Sequence, residues 1–503
     1  MSRASRHEAR SIIRGFQWTY ASVALQGLLK LAALMMLARL LTPRDFGLLS
    51  FALLCTNFVE RIGQGGIGPA VVQSKSTSLE AVATAWWLSL SLGLLSMIAV
   101  SSSAGQIAAF FGEPELKSIV QALSIGCVLE ALVAVPEALL QRDLRCKEIM
   151  VADNLAYFVS MLGVCTILAF TGWGVWSLVV AQVTLKSLRV VLIAWVAPRQ
   201  QLSLPSWSHA QELARMGFGF SLGRLLNFFS LQGDNFIVGR LLGTEALGMY
   251  NRAYQLMTLP AMYVGQVFER VMFPAMARKQ GDKRELEREF LLALEVLTLV
   301  ALPAGVVMFV LAEEIVLVGF GEKWRGVIPV VSVLAFGVFF RTAYKCSDTV
   351  VRSVGAVYHY AGRQALYALL VMGGAGVGAS LYGVSGVACG VVLAVALNYI
   401  SMTRLSIRLV GISVPHVLRA HIVGAWASVC VAGALFGSID FVRSHASYPL
   451  VVLLEAGVIA IAVWGMSCCI ALMIVPFGIM RHLRRYLWGF WVNGVGLTRS
   501  RAR

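Results

Sequence analysis

Arg341, Lys345 and Asp348 stand inside one apolar run at i, i+4 and i+7, so a helix carries all three on one face. A second run holds Arg224, Asn227, Leu231 and Asn235 along one stripe, with Asp234 beside it. A third has Gln26 and Lys30 one turn apart, and Arg61 ends a fourth. Charge within an apolar run is costly in a membrane and marks a pathway, a binding site or a structural pair. Lys30, Arg61, Arg224, Arg341 and Lys345 are therefore the candidates for holding an anion such as a phosphate or diphosphate. Asp234, Asp348 and Glu130 are the candidates for coupling to a proton or a sodium ion. The simplest way to solvate groups from so many runs is one shared, water-filled cavity of positive sign. Other charges carry plainer readings. Lys186 and Arg189 are close enough to a run end to snorkel, Glu60 and Arg61 read as a structural pair, and Glu455 reads as packed on a polar neighbour.

Covalent and metal chemistry find no support. The sequence contains no H-E-x-x-H, no G-x-S-x-G and no Walker sequence, so neither a hydrolase nor an ATP-driven pump is indicated. No cofactor is expected beyond a possible coupling ion. Gly63-Gln64-Gly65-Gly66-Ile67-Gly68 matches G-x-G-x-x-G but lacks the strand before it that a dinucleotide site needs. The cysteines are scattered through apolar runs without metal spacing.

These residues need apolar elements to position them. Of the 503 residues, 58% are hydrophobic and 14% charged, against about 25% charged in a soluble domain. Apolar runs of about 20 residues recur throughout, the length that crosses a bilayer core. The chain reads as an all-α polytopic membrane protein with about 14 transmembrane helices. With both termini cytoplasmic, inner segments hold about 27 of the 42 Lys and Arg and outer loops about 8. The net charge of +16 is thus a topology signal, and no basic patch interleaved with stacking aromatics points to nucleic acid.

The chain also repeats itself. Leu37–Ala52 reads LARLLTPRDFGLLSFA and Val238–Ala253 reads VGRLLGTEALGMYNRA, a gap-free match over 16 positions at an offset of 201. Phe111-Gly112-Glu113 recurs as Phe320-Gly321-Glu322, and Pro69-Ala70 as Pro274-Ala275. The pattern predicts a basic cytoplasmic tail (1–14), a six-span lobe (15–196), a cytoplasmic linker (197–215) and a second six-span lobe (216–404). Two accessory spans (405–475) and a basic cytoplasmic tail (476–503) follow. An even span number per copy makes this a parallel repeat, with two six-helix lobes around a central cavity.

Several stretches carry a family resemblance: ARLLTPRDFGLLSFA, PEALLQRDLRCKEI (136–149), FFGEPEL (110–116), DNFIVGRLLGTEALGMYNRAYQLMTLP (234–260), FPAMARKQGD (273–282) and GEKWRGVIPV (321–330). In these the chain resembles the Wzx-type polysaccharide flippases of the multidrug/oligosaccharidyl-lipid/polysaccharide (MOP) exporter superfamily, and most the colanic-acid and exopolysaccharide branch. The resemblance implies a bacterial cytoplasmic (inner) membrane protein. It implies alternating-access transfer of an undecaprenyl-diphosphate-linked oligosaccharide, working beside polymerase and export machinery. Basic cavity residues would hold the diphosphate. Two rivals stand beside it. An ion-coupled drug or metabolite antiporter of the same superfamily should show an acidic or aromatic pocket. A membrane polymerase of lipid-linked sugars should carry a large outer loop, and none is present.

Overall fold

The computed structural model describes residues 25–63, 66–73, 78–143, 145–197, 203, 205–278, 282–446 and 448–474. Among them every regular element is a helix. The tails 1–14 and 476–503 lie outside the described residues.

Helix α1 covers 25–40. It is followed by α2 (Pro43–Gly63), the short α3 (Ile67–Gln73), α4 (Leu79–Phe111) and α5 (Leu116–Arg142). The next rod is α6 (Cys146–Tyr157), continued through a π-helical stretch at Phe158–Cys165 into α7 (Thr166–Phe170). Helices α8 (Val175–Val196), α9 (Trp207–Leu242), α10 (Thr244–Arg278) and α11 (Lys283–Val310) come next. They lead to the short α12 (Ala312–Gly319), α13 (Ile328–Ala335) and α14 (Gly337–Ser353), then α15 (Val357–Val410), α16 (Val414–His445) and α17 (Pro449–Ile474).

Eight of these helices are long and apolar enough to span a bilayer, or nine if Glu322–Ala335 and Gly337–Ser353, bent by 43°, form one broken span. Their apolar surface is far from consumed by packing: in the most apolar window of Pro449–Ala471 only 22% of residues are buried. Side chains such as Phe170, Leu369, Trp195 and Phe441 stand exposed. An apolar exterior on this scale calls for lipid as its solvent.

A straight helix of 54 residues would run about 80 Å, far beyond a core of about 30 Å. Helix α15 instead breaks at Tyr382 and Gly383, where Gly383 has φ 57°, a conformation that favours glycine. Gly378 and Gly386 then meet backbone to backbone, and a Cβ on either would strike the other's carbonyl. The segment 197–215, expected as a linker, includes the first turns of a helix. Helix α9 already starts at Trp207, because Glu212-Leu213-Ala214-Arg215 is a strong run of helix formers.

Packing gathers the chain into two compact units. The first takes residues up to Arg252 with Gly319–Trp324 and Ala368–Val387; the second takes Ala253–Val318, Arg325–Tyr367 and residues from Ala388 on. In the first, α4 and α5 approach closely at Gly93, where an added Cβ would lie 2.5 Å from that of Ala131. Ser89 there donates to the Ala131 carbonyl at 3.0 Å. In the second, α11 and α16 are joined in the same way. Gly424 leaves room for Thr298, which a Cβ would approach to 2.6 Å.

The repeated segments pack on each other within the first unit, through equivalent positions. A Cβ on Gly47 would strike the carbonyl of Thr244, and a Cβ on Gly248 would strike that of Pro43. Both pairs are related by the repeat offset. Between them Asn251 donates to Ser50 at 2.8 Å, and these two positions are themselves equivalents. Reciprocal contacts of this kind are the signature of a local twofold. Thr244 also donates to Glu113, to which Arg44 reaches at 3.2 Å, so the joint is tied to the first FGE turn.

Candidate functional site

Helices α2, α5 and α8 of the first unit each carry charge on the face they turn to one another. Asn57, Glu60 and Arg61 are spaced i, i+3, i+4 on α2. Glu130, Glu137 and Gln141 form an i, i+7, i+11 stripe on α5, and Lys186 and Arg189 are one turn apart on α8. Such spacings put each set on a single helix face. Together with Gly68 of α3 they line a cavity of about 420 Å³.

Ion pairs organise its wall. Lys186 pairs with Glu60, whose side chain is only 9% exposed. Arg189 uses three of its N–H edges on three carboxylates: Glu130 at 3.0 Å, Glu137 at 2.6 Å and Asp153 of α6 at 2.8 Å. The planar fork of a guanidinium suits such branching, which an ammonium could not fix in direction. Glu137 also accepts from Gln141 at 3.0 Å. Gly126 is required by this arrangement: a Cβ there would lie 2.7 Å from the Lys186 ammonium and 3.1 Å from the Glu60 carboxylate.

Of the residues singled out in the sequence, Arg61 and Glu130 enter this cavity, Arg61 as an exposed guanidinium. Lys30 of α1 is half-buried and within electrostatic reach of Asp153. The plainer readings of the neighbours need correction. Lys186 and Arg189, read as snorkelling, turn inward because carboxylates on α2, α5 and α6 meet them. Glu60 pairs with Lys186 across helices, leaving Arg61 out of that pair. Asp153 was missed; an acidic residue at the start of a span, flanked only by apolar neighbours and Asn154, was the available signal.

The remaining candidates lie elsewhere. Asp234 is 1% exposed and accepts from the Tyr250 hydroxyl at 2.6 Å and the Asn235 amide at 2.9 Å. In the second unit Arg341 donates to Tyr367 at 2.8 Å. It also lies with Lys345 about the ring of Tyr344, at 5.7 and 5.2 Å from the centroid. Asp348, the third residue of that face, pairs with Arg352 at 2.8 Å. The side chain of Arg224 lies outside the described residues. Glu455 does meet a polar neighbour, His445, at 3.0 Å.

Residues 36–329 match the family model for polysaccharide biosynthesis proteins. Three similar proteins are the teichuronic acid biosynthesis protein TuaB of Bacillus subtilis, the succinoglycan biosynthesis transport protein ExoT of Rhizobium meliloti and the lipopolysaccharide biosynthesis protein WzxC of Escherichia coli. TuaB is 26% identical over 72% of this chain and 76% of its own. ExoT is 27% identical over 65% and 66%, and WzxC 26% over 64% and 67%. Among solved structures, the lipid II flippase MurJ in an inward closed conformation superposes with a TM-score of 0.76 at 12% identity, covering 90% of this chain and 98% of that one. An inward-facing multidrug-resistance MATE transporter of the MOP superfamily gives 0.63 at 17%, covering 77% and 94%.

Proposed function

The chain belongs to the polysaccharide biosynthesis family of Wzx-type transporters in the MOP superfamily, and from that membership we propose that it flips an undecaprenyl-diphosphate-linked oligosaccharide across a bacterial inner membrane. The family is one of transporters and not of enzymes. The observation that carries the proposal is a cavity lined by ionisable and amide side chains inside a helix bundle whose outer surface is apolar. Sugars and a diphosphate dragged through hydrocarbon would leave many polar groups unpaired, each at a cost of several kcal/mol. A polar cavity removes that barrier, and the polyprenyl tail stays in lipid throughout.

The proposal includes two six-span lobes with two accessory spans, about 14 in all, alternating between inward and outward openings with both termini cytoplasmic. Lys30, Arg61, Arg341 and Lys345 are the proposed diphosphate contacts among the described side chains, and the sequence adds Arg224. Polymerase and export machinery are the proposed partners. A coupling proton or sodium ion would act at Asp234, Asp348 or Glu130; a transport rate indifferent to imposed ion gradients rejects this part.

The test is leaflet transfer of a lipid-diphosphate-linked saccharide in proteoliposomes. Wild type transfers it, and Arg61→Ala lowers the rate about tenfold, since a charge-assisted hydrogen bond contributes about 1.5–3 kcal/mol. Arg61 is exposed, so the variant should fold as wild type does. Folded wild type that transfers no saccharide at all, from any donor lipid, defeats the proposal.

A further inference from the structure

The formal charges of the α2–α5–α8 cavity nearly cancel. Its lining holds three carboxylates, Glu60, Glu130 and Glu137, and three cations, Arg61, Lys186 and Arg189, and Asp153 adds one more carboxylate on Arg189. A diphosphate entering it would meet the carboxylates as like charges, and a cationic drug would meet the guanidiniums and the ammonium. An acyl or prenyl chain would strand the whole polar wall without partners. What remains is a neutral ligand dense in groups that both donate and accept.

Resting on the transport reading above, we infer that this cavity is the subsite for the uncharged sugar rings of the cargo, with the exposed Arg61 the one lining residue it shares with the diphosphate contacts. A sugar hydroxyl donates one hydrogen bond and accepts others, so it can bind either member of an ion pair. Carboxylates accept, guanidinium edges donate, and the amides of Asn57 and Gln141 do both. The Arg189 cluster fixes three carboxylates in direction before any ligand arrives, which lowers the ordering cost of binding. The volume of about 420 Å³ falls within the 300–1,000 Å³ usual for small-molecule sites. The cavity lies toward the helix ends at Gly63, Arg142 and Cys146, away from the Gly112 and Gly174 turns. In the proposed topology that end is cytoplasmic, where a lipid-linked saccharide awaits transfer.

The experiment places a reporter at Ala134, a half-buried residue of the cavity lining with no polar side chain of its own. Ala134→Cys, in the full-length protein with its nine native cysteines replaced by alanine, is labelled with a water-soluble maleimide, and Ser118→Cys in the same background, exposed near the start of α5, serves as the control. The probes are neutral oligosaccharides released by partial hydrolysis of the source bacterium's own surface polysaccharide, and inorganic pyrophosphate. At about ten times its Kd the saccharide should slow labelling of Ala134→Cys about tenfold, since only the free fraction reacts, and leave Ser118→Cys unchanged. Protection by pyrophosphate and not by saccharide overturns the inference. Protection by neither, in a preparation that still transfers the lipid-linked unit, overturns the sugar subsite and leaves the transport reading standing. A wild-type preparation that transfers nothing counts against the transport reading instead.

Discussion

Arg189→Met is expected to cost more stability than any other single change in the first unit's polar wall. The substitution removes the guanidinium and leaves Glu130, Glu137 and Asp153 facing one another with side chains 20–30% exposed. Breaking a buried pair from one side costs about 3–5 kcal/mol, because the orphaned charge stays behind. Thermal unfolding in detergent should show a clear drop in midpoint, and transfer in proteoliposomes should be lost. A compensated variant separates charge from shape. Adding Glu130→Gln and Glu137→Gln to Arg189→Met should recover roughly half of the lost stability, because two of the three orphaned carboxylates are then neutral and only Asp153 keeps its charge. If the triple variant is no more stable than Arg189→Met, the loss came from packing and the electrostatic account of the wall is wrong. Transfer should stay impaired in the triple variant even when its fold returns.

Gly248→Leu carries the second large effect. Its Cβ would point into the Pro43 backbone, with the carbonyl carbon 2.8 Å away and the Gly47 amide nitrogen 3.0 Å away. Neither is a side chain that can rotate clear. Overpacking usually costs about 1–3 kcal/mol, and a backbone-to-backbone clash belongs at the upper end of that range or beyond it. The variant should be recovered in low yield, with a lowered unfolding midpoint and no transport. The same change at Gly437, where nothing lies within 4 Å of the added Cβ, is the control and should leave both readouts near wild type. Equal damage at both positions would mean that the insertion of a bulky residue, and not the α2–α10 joint, is responsible.

The elements were legible where the information is local. Hydropathy marks the eight or nine helices among the described residues that are long and apolar enough to span, of about 14 expected, and glycines mark the turns at Gly172, Gly174 and Gly383, each with positive φ. The repeat could be read because its two copies still share Arg39 and Arg240, Gly47 and Gly248, Ala52 and Ala253. The site was legible only in pieces. Arg61 and Glu130 stand out as charges in apolar runs, but a lysine such as Lys186 looks the same in sequence whether it snorkels or meets Glu60. That choice depends on which helices become neighbours, and the adjacency of α2, α5 and α8 is written in no single segment. Asp153 shows the limit most plainly: at the start of its span it resembles a rim residue, and only the reach of Arg189 from another helix makes it part of the wall.

The local twofold has a consequence for inheritance. In a dimer of identical chains, a residue on the axis must face its own copy, so serine meets serine or asparagine meets asparagine. Here both copies lie in one polypeptide, and the axial positions carry Ser50 and Asn251, a mixed pair that identical chains could never place there. The flanks have diverged as well, with Pro43 opposite a threonine whose hydroxyl reaches Glu113, a bond the proline-bearing copy has no hydroxyl to return. The glycines admit no such mixing, since a Cβ on either would strike the other segment's backbone. Carrying both repeated segments in one polypeptide thus frees the polar positions on the axis from self-complementarity while leaving the steric ones bound by it.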